Sequence, residues 1–188
     1  MVVELDVPAR MARGVRTAWR PVRPPYGPPQ QSAAGRRAAA AALAAAGAAE
    51  RDVPRAPDGR PCFPRGFPGS IAHTERLAVA VVAPGAAGVG VDVESADIGP
   101  RTAGFVLSGR ERGALLPPAG ACTPRELFAA KEAAFKALYT IARLQDFVFW
   151  RTELVAADDA LSATCRGESV PVRVRSAAGL SFAVAIRG

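Results

Sequence analysis

The residues of this chain best suited to chemistry are carboxylates and lysines in two short stretches. In the first, Asp92 and Glu94 alternate within GVGVDVE, so in a strand both side chains point to the same face. Two carboxylates that leave an apolar strand together repel each other and are costly to bury unless a cation lies between them. Oxygen ligands favour Mg²⁺ or Mn²⁺ over zinc, and Glu132 is a candidate third ligand. The alternative to a metal site is that Asp92 and Glu94 lie at the end of a strand and face solvent.

The second stretch, Leu127–Tyr139, contains Glu132 together with Lys131 and Lys136, the only lysines of the 188-residue chain. Its apolar residues recur with the period of an amphipathic helix. Arg replaces Lys everywhere else. Because the two side chains differ in geometry and proton chemistry, the retained lysines indicate that an ammonium group is required here. The alternative is an ordinary surface pair of Glu132 and Lys136, four residues apart on one helix face.

Three further basic residues are candidates for an anion site. Arg36 and Arg37 fall in the first turns of a predicted Ala-rich helix, where the positive end of the helix dipole disfavours cations. This placement fits a site that binds an anion, and solvated arginines explain it equally well. His73 is the only histidine and precedes a predicted strand. Functional side chains favour loops held by rigid elements, although a lone histidine is most often structural.

Composition and charge narrow the classes of protein. Hydrophobic residues make up 49% of the chain, which indicates a globular protein. The net charge of +7 favours acidic partners, but scattered arginines and only 6% aromatic residues disfavour a nucleic-acid-binding module. We find no signal-peptide pattern and no stretch apolar enough to cross a membrane, so we expect no nucleic-acid and no membrane partner. Three cysteines without CxxC spacing indicate reduced thiols of a cytoplasmic protein.

The elements that must position these residues alternate between helices and strands. Thr123, Pro124 and Glu126 begin the lysine-containing helix with a capping box, and Ser108 with Glu111 begins a shorter one. The other predicted elements are a strand at 2–7, an extended loop at 20–30, a helix at 32–49, and strands at 77–83, 89–94, 147–155, 160–166, 170–175 and 180–186. This order predicts an α+β protein whose two similar halves meet near residues 95–101.

Taken together, GVGVDVE and LFAAKEAAFKALY resemble the paired signature of the 4′-phosphopantetheinyl transferases of the Sfp type, loosely G-[IV]-D-x-E and [FW]-x-x-K-E-[AS]-x-x-K. GSIAHT resembles the family's Ser/His segment, with Ala72 where a Ser often precedes the histidine. AGRRAAAAAL and DGRPCFPRG resemble basic segments of the enterobactin-synthetase-like branch. The resemblance spans residues 35–149. It implies a pseudo-duplicated fold of two ferredoxin-like α/β halves, residues 1–95 and 96–188, with coenzyme A in the cleft between them.

The resemblance implies an enzyme that moves the 4′-phosphopantetheine arm of coenzyme A to a serine of an acyl or peptidyl carrier protein and releases 3′,5′-ADP. By similarity, Asp92, Glu94 and Glu132 would hold Mg²⁺, or Mn²⁺, against the coenzyme A pyrophosphate. Glu132 would also accept the serine proton, and Lys136 would neutralise or protonate the leaving phosphate. Phosphoryl-type transfer depends on positioning and charge neutralisation, which agrees with these residue types.

The resemblance also implies roles for the other basic residues. Lys131 and His73 would contact phosphate oxygens of coenzyme A, and Arg36 and Arg60 would bind its 3′-phosphate. The acidic helix of a fatty-acid, polyketide or nonribosomal-peptide carrier would dock on a basic, partly apolar surface nearby, and a monomer is the simplest expectation. The alternative is a catalytically degenerate homologue that binds a carrier or coenzyme A, which the unusual segment RPVRPPYGPPQ favours.

Overall fold

The computed structural model describes residues 14–142 and 151–188. The helices of this part are α1 (Pro28–Ala45), α2 (Pro100–Val106), α3 (Gly109–Leu115) and α4 (Pro124–Ala142). Its strands are β1 (Arg16–Pro21), β2 (Gly69–His73), β3 (Leu77–Val82), β4 (Gly88–Glu94), β5 (Glu153–Ala157), β6 (Ala160–Cys165), β7 (Glu168–Ala177) and β8 (Leu180–Arg187). The strand predicted at 2–7 and the start of the one predicted at 147–155 lie outside the described residues. No helix in the described ranges has the length and hydropathy needed to cross a membrane.

The strands form two antiparallel sheets, ordered β1-β3-β2 in the smaller sheet and β4-β8-β7-β6-β5 in the larger. In both sheets the first strand in sequence pairs with the last, and the last pairs with the one before it. A long helix, α1 or α4, lies between the first and second strands of each sheet. This shared arrangement confirms the predicted α+β fold with two similar halves. The larger sheet differs by the additional strands β5 and β6.

Buried apolar clusters show how the sheets and helices are layered. Leu43 of α1 shares one cluster with Val82 of the smaller sheet, and Leu138 of α4 shares another with Ala183 of the larger sheet. A third cluster lies between the two sheets and joins residues of β3, β4 and β8. The order of layers is therefore α1, smaller sheet, larger sheet, α4, with burial of apolar area as the main stabilising contribution.

Strand β4 lies where the two halves meet. The predicted division at residue 95 counts this strand with the N-terminal half, and that division stays a prediction. The hydrogen bonds of β4 run to β8, so that Asp92 lies opposite Ala183. Alternate residues face different layers: Val89, Val91 and Val93 belong to the apolar cluster between the sheets. The residues between them face α4.

Two glycines let the backbone of α4 lie directly on β4. A Cβ atom added to Gly90 would lie 1.8 Å from the carbonyl oxygen of Ala133, and one added to Gly88 would lie 2.2 Å from that of Ala137. These neighbours are backbone atoms, which cannot rotate away as a side chain can. Glycine at 88 and 90 therefore brings Glu132 and Lys136 of α4 close to the acids of β4.

We expect Gly90→Ala to destabilise the protein by about 1–3 kcal/mol or more, because the added methyl group overlaps the helix backbone. The measurement is chemical denaturation followed by circular dichroism. The matched control is Gly104→Ala in α2, where an added Cβ meets nothing within 4 Å, so the variant should be stabilised by about 0.5–1 kcal/mol. Equal stability of Gly90→Ala and the wild type would contradict the close contact of α4 with β4.

Helix α1 differs from its prediction. It begins at Pro28 after Gly27 as N-cap, not after Ser32, because proline is tolerated in the first turn of a helix, where its missing N–H is not needed. The extended loop predicted at 20–30 is therefore wrong at both of its ends, since β1 reaches Pro21. Arg36 lies about two turns into the helix, so the first-turn argument for an anion site no longer applies. The two predicted capping boxes are confirmed by their hydrogen bonds.

Candidate active site

The structure brings together four residues that the sequence identifies as a site: Asp92 and Glu94 of β4, and Glu132 and Lys136 of α4. Asp92 is 6% exposed, and its Oδ1 accepts a hydrogen bond from Lys136 Nζ at 2.8 Å. Asp92 Oδ2 is also buried and has no hydrogen-bond partner within the described residues. Glu94 and Glu132 lie close enough for their charges to act on each other. The site is therefore a half-buried group of three carboxylates with one ammonium.

The environment makes two of these carboxyl groups hold protons near neutral pH. Burial raises the pKa of Glu94 from its ordinary value of 4.5 to about 7; the charges of Asp92 and Glu132 add to the rise and Lys136 opposes it. Burial also raises the pKa of Glu132 to about 7, where Lys136 opposes the rise and Asp92 adds to it. The site thus favours either bound protons or an additional cation.

We expect the melting temperature in EDTA to contain a contribution that falls between about pH 4.5 and pH 7. Both carboxyl groups bind a proton more tightly when folded than when unfolded, where their pKa is 4.5. Their stabilising contribution is complete below that value and is lost as the pH rises through about 7. Thermal denaturation of wild type and Glu132→Gln isolates this contribution, and their difference should change by roughly a few degrees. A difference that is constant across this pH range would contradict the raised pKa of Glu132.

Lys136 is held in place by two acceptors on β4. Its Nζ donates to the carbonyl oxygen of Val91 at 3.0 Å as well as to Asp92. The side chain is about a third exposed and lines a large cleft. The ammonium is therefore fixed at the strand and accessible to an anion.

Lys131 is not part of this group, contrary to the expectation that it contacts phosphate oxygens. Its Nζ lies 2.9 Å from Glu111 Oε2 and donates to the carbonyl oxygen of Val106, and both charged side chains are only 2% exposed. Five residues separate Lys131 from Lys136, which turns their side chains about 140° apart on a helix. The sequence identifies Glu111 only as a capping residue; its buried partner is a tertiary contact that no local pattern shows.

A cleft of about 960 Å³ opens beside Lys136, between the two halves. Its walls include Arg60, Phe63 and Ser70 from the N-terminal half and Phe135, Lys136 and Tyr139 from α4. The guanidinium of Arg60 lies over the ring of Tyr139, with Cζ 4.7 Å from the centroid, and its Nε donates to Asp58 Oδ2 at 2.6 Å. Arg60 therefore contributes a positive charge to the same cleft as Lys136.

A smaller cavity of about 140 Å³ is lined by Arg36, Arg55 and His73 among others. His73 ends strand β2, where a loop was predicted, and burial followed by the charge of Lys136 lowers its pKa. Arg36 Nη1 donates to Ser32 Oγ at 2.8 Å and is exposed. Arg55 was not identified from the sequence, because it lies in a turn-rich segment without periodicity. The cavity brings three basic side chains to one place.

The carboxylates fit a divalent cation by their chemistry. Burial is the main cause of the raised pKa values of Glu94 and Glu132, the charge of Asp92 adds to both, and Asp92 Oδ2 has no partner in the hydrogen-bond geometry of the described residues, so the site is rich in buried oxygen atoms. In the described ranges, however, no three His, Cys, Asp or Glu side chains converge as a ready-made metal centre. A metal site made of all three carboxylates would therefore need a change of side-chain conformation, whereas Lys136 already supplies a cation to Asp92.

Two family models match the chain. The 4'-phosphopantetheinyl transferase N-terminal domain matches residues 30–83, and the 4'-phosphopantetheinyl transferase superfamily matches residues 88–184, slightly more than half of the chain. The matched regions adjoin between β3 and β4, where the chain passes from the smaller to the larger sheet. No curated protein matches the chain. With the paired acidic and lysine motifs and the α+β fold, these matches show that the chain belongs to the 4'-phosphopantetheinyl transferase superfamily.

Proposed function

We propose that this transferase is of the Sfp type, in the enterobactin-synthetase-like branch, and that it modifies acyl or peptidyl carrier proteins. The serine hydroxyl oxygen of the carrier attacks the β-phosphorus of coenzyme A, the bond from that phosphorus to the bridging oxygen breaks, and 3′,5′-ADP leaves. The observation that carries the proposal is that Lys136, which lines a cleft large enough for a nucleotide, donates to Asp92 in the same group as Glu94 and Glu132.

Asp92, Glu94 and Glu132 would hold Mg²⁺, or Mn²⁺ in its place. When bound, the metal supplies positive charge that neutralises the pyrophosphate of coenzyme A. Glu132 accepts the proton of the carrier serine. In the metal-free protein burial raises the pKa of Glu132 to about 7, so this carboxylate is a stronger base than an exposed glutamate.

Lys136 neutralises the negative charge that develops on the leaving 3′,5′-ADP, or donates a proton to it. Its contacts with Val91 and Asp92 hold the ammonium in position before substrate arrives, so little reorganisation is needed during the reaction. Arg60 and Arg36 bind the 3′-phosphate, and His73 contacts a phosphate oxygen, since these side chains line the cleft and the adjoining small cavity. Lys131 has no proposed contact with coenzyme A.

The carrier protein presents an acidic helix to a basic surface of this enzyme. The net charge of +7 and the surface of α2 and α3 support this docking, because Phe105 is 71% exposed there between the exposed Arg101 and Arg110. The free thiols of Cys62, Cys122 and Cys165 support a cytoplasmic location, where thiols stay reduced. We propose a monomer without a nucleic-acid or membrane partner.

The test is intact-mass analysis of apo carrier proteins incubated with this protein, coenzyme A and Mg²⁺, with EDTA as the control. A gain of one phosphopantetheine arm, lost with EDTA, supports reaction and metal dependence together. Carriers of fatty-acid, polyketide and nonribosomal-peptide synthesis are compared in parallel. Coenzyme A binding without any mass gain on these carriers would favour the catalytically degenerate homologue.

A further inference from the structure

We infer that Ser70 is a positioning residue that fixes the position of the smaller sheet relative to β4, the strand that carries Asp92. Ser70 is 6% exposed and lies in β2 next to Ile71, which packs against the apolar cluster that contains α1 residues. It shares its face with Ala72, which belongs to the apolar cluster between the two sheets. A hydroxyl group in such a layer is unfavourable unless it is hydrogen-bonded.

The partner of Ser70 is the backbone of the acidic strand. Ser70 Oγ accepts a hydrogen bond from the N–H of Val91 at 3.1 Å. The carbonyl oxygen of the same residue accepts from Lys136 Nζ. In an antiparallel strand the N–H and C=O of one residue point to the same side, so both groups of Val91 face away from β8. The N–H group of Val91 binds Ser70 of the N-terminal half, and its C=O group binds Lys136 of α4.

This arrangement differs from the packing around it. Apolar contacts between the sheets, such as those of Val79 and Val91, are non-directional and tolerate sliding. A hydrogen bond depends on distance and angle and therefore restricts the position of β2 relative to β4. Ser70 supplies that directional contact one residue before Asp92.

The position of β2 relative to β4 matters because the cleft is lined by residues from both sides. Ser70 and Lys136 both line it, and Arg60 and His73 lie on the side of Ser70. Resting on the proposed function, this means that the N-terminal half holds the nucleotide while β4 and α4 hold the reacting groups. The contact of Ser70 with Val91 sets the separation between nucleotide-binding and reacting groups.

The test compares Ser70→Ala with Ser70→Thr, which keeps the hydroxyl group. In Ser70→Ala we expect faster hydrogen–deuterium exchange at the Val91 amide and a kcat lower by about tenfold to a hundredfold. Coenzyme A, which touches both walls, should bind roughly threefold to tenfold more weakly, whereas 3′,5′-ADP should bind within about twofold of wild type. Ser70→Thr should recover most of the slow exchange and of kcat.

The control for stability alone is Val170→Ala, which removes buried methyl groups from β7 in the apolar cluster that contains α4 residues. It should lower the melting temperature and speed Val91 exchange no more than that of other buried amides, while kcat and the two affinities stay as in wild type. If Ser70→Ala changes only the melting temperature, Ser70 contributes stability alone and the inference is wrong. If wild type itself fails to modify any carrier, the proposed function fails. The exchange rate and the difference between coenzyme A and 3′,5′-ADP still decide the inference about Ser70.

Discussion

Glu132→Gln is expected to bind coenzyme A with an affinity close to that of wild type and to slow transfer by about three orders of magnitude or more. The substitution keeps the size of the side chain and removes both a negative charge and a proton acceptor. Glu132 is the α4 member of the carboxylate group, where burial raises its pKa to about 7 in the metal-free protein. Loss of this one carboxylate therefore affects both the cation and the base of the proposed reaction.

The measurement combines calorimetric titration of coenzyme A with single-turnover mass analysis of the carrier. The matched control is Glu153→Gln, which removes a carboxylate from the exposed side of β5 and should leave both quantities unchanged. Near-normal transfer by Glu132→Gln would remove Glu132 from the mechanism. Loss of coenzyme A binding would instead assign it to the nucleotide site.

Lys131→Met is expected to reduce the free energy of unfolding by about 3–5 kcal/mol, the range for removing one partner of a buried ion pair. The carboxylate of Glu111 would keep its hydrogen bonds from the N–H groups of Ser108 and Leu154 but would lose the one cation that pairs with it among the described residues. Chemical denaturation measures the loss. The double variant Lys131→Met/Glu111→Gln should recover part of it, because no unpaired charge then stays buried.

Lys136→Met is the matched variant, since it makes the same change five residues further along the same helix. Lys136 is partly exposed, so we expect a smaller loss of stability and a decrease in transfer rate of about ten- to a thousandfold. The Lys131 variant should therefore lose mainly stability, and the Lys136 variant should lose mainly transfer activity. If Lys131→Met lost activity at unchanged stability, its placement inside the fold would be wrong.

The parts of the fold with local sequence patterns were predicted correctly. The capping boxes at Ser108 and Thr123 need only residues within one turn, and the strand around Asp92 shows apolar alternation. Strand β1 was missed because its Arg- and Pro-containing sequence does not alternate, although β3 pairs along its whole length. The start of α1 was predicted too late because a proline pair was interpreted only as a helix breaker.

For the site, the sequence predicts which residues carry charge but not which partners they meet. Asp92, Glu94 and Glu132 lie close enough for their charges to interact, whereas their shared binding of a metal ion stays a prediction. Lys131 shows the opposite case. Its neighbour in sequence is Glu132, but its partner is Glu111, twenty residues away, and only the packing of α3 against α4 and β5 brings the two together.

The contact of α4 with β4 has a consequence for how this protein tolerates sequence change. The spacing between helix and strand is determined by main-chain atoms at Gly88 and Gly90, not by interleaved side chains. We therefore expect exchanges among Ala, Val and Leu elsewhere in the core to change the separation of Asp92 from Lys136 less than a substitution at Gly88 or Gly90 would. The restriction on sequence is therefore concentrated at two positions where an added side chain would overlap the backbone of α4.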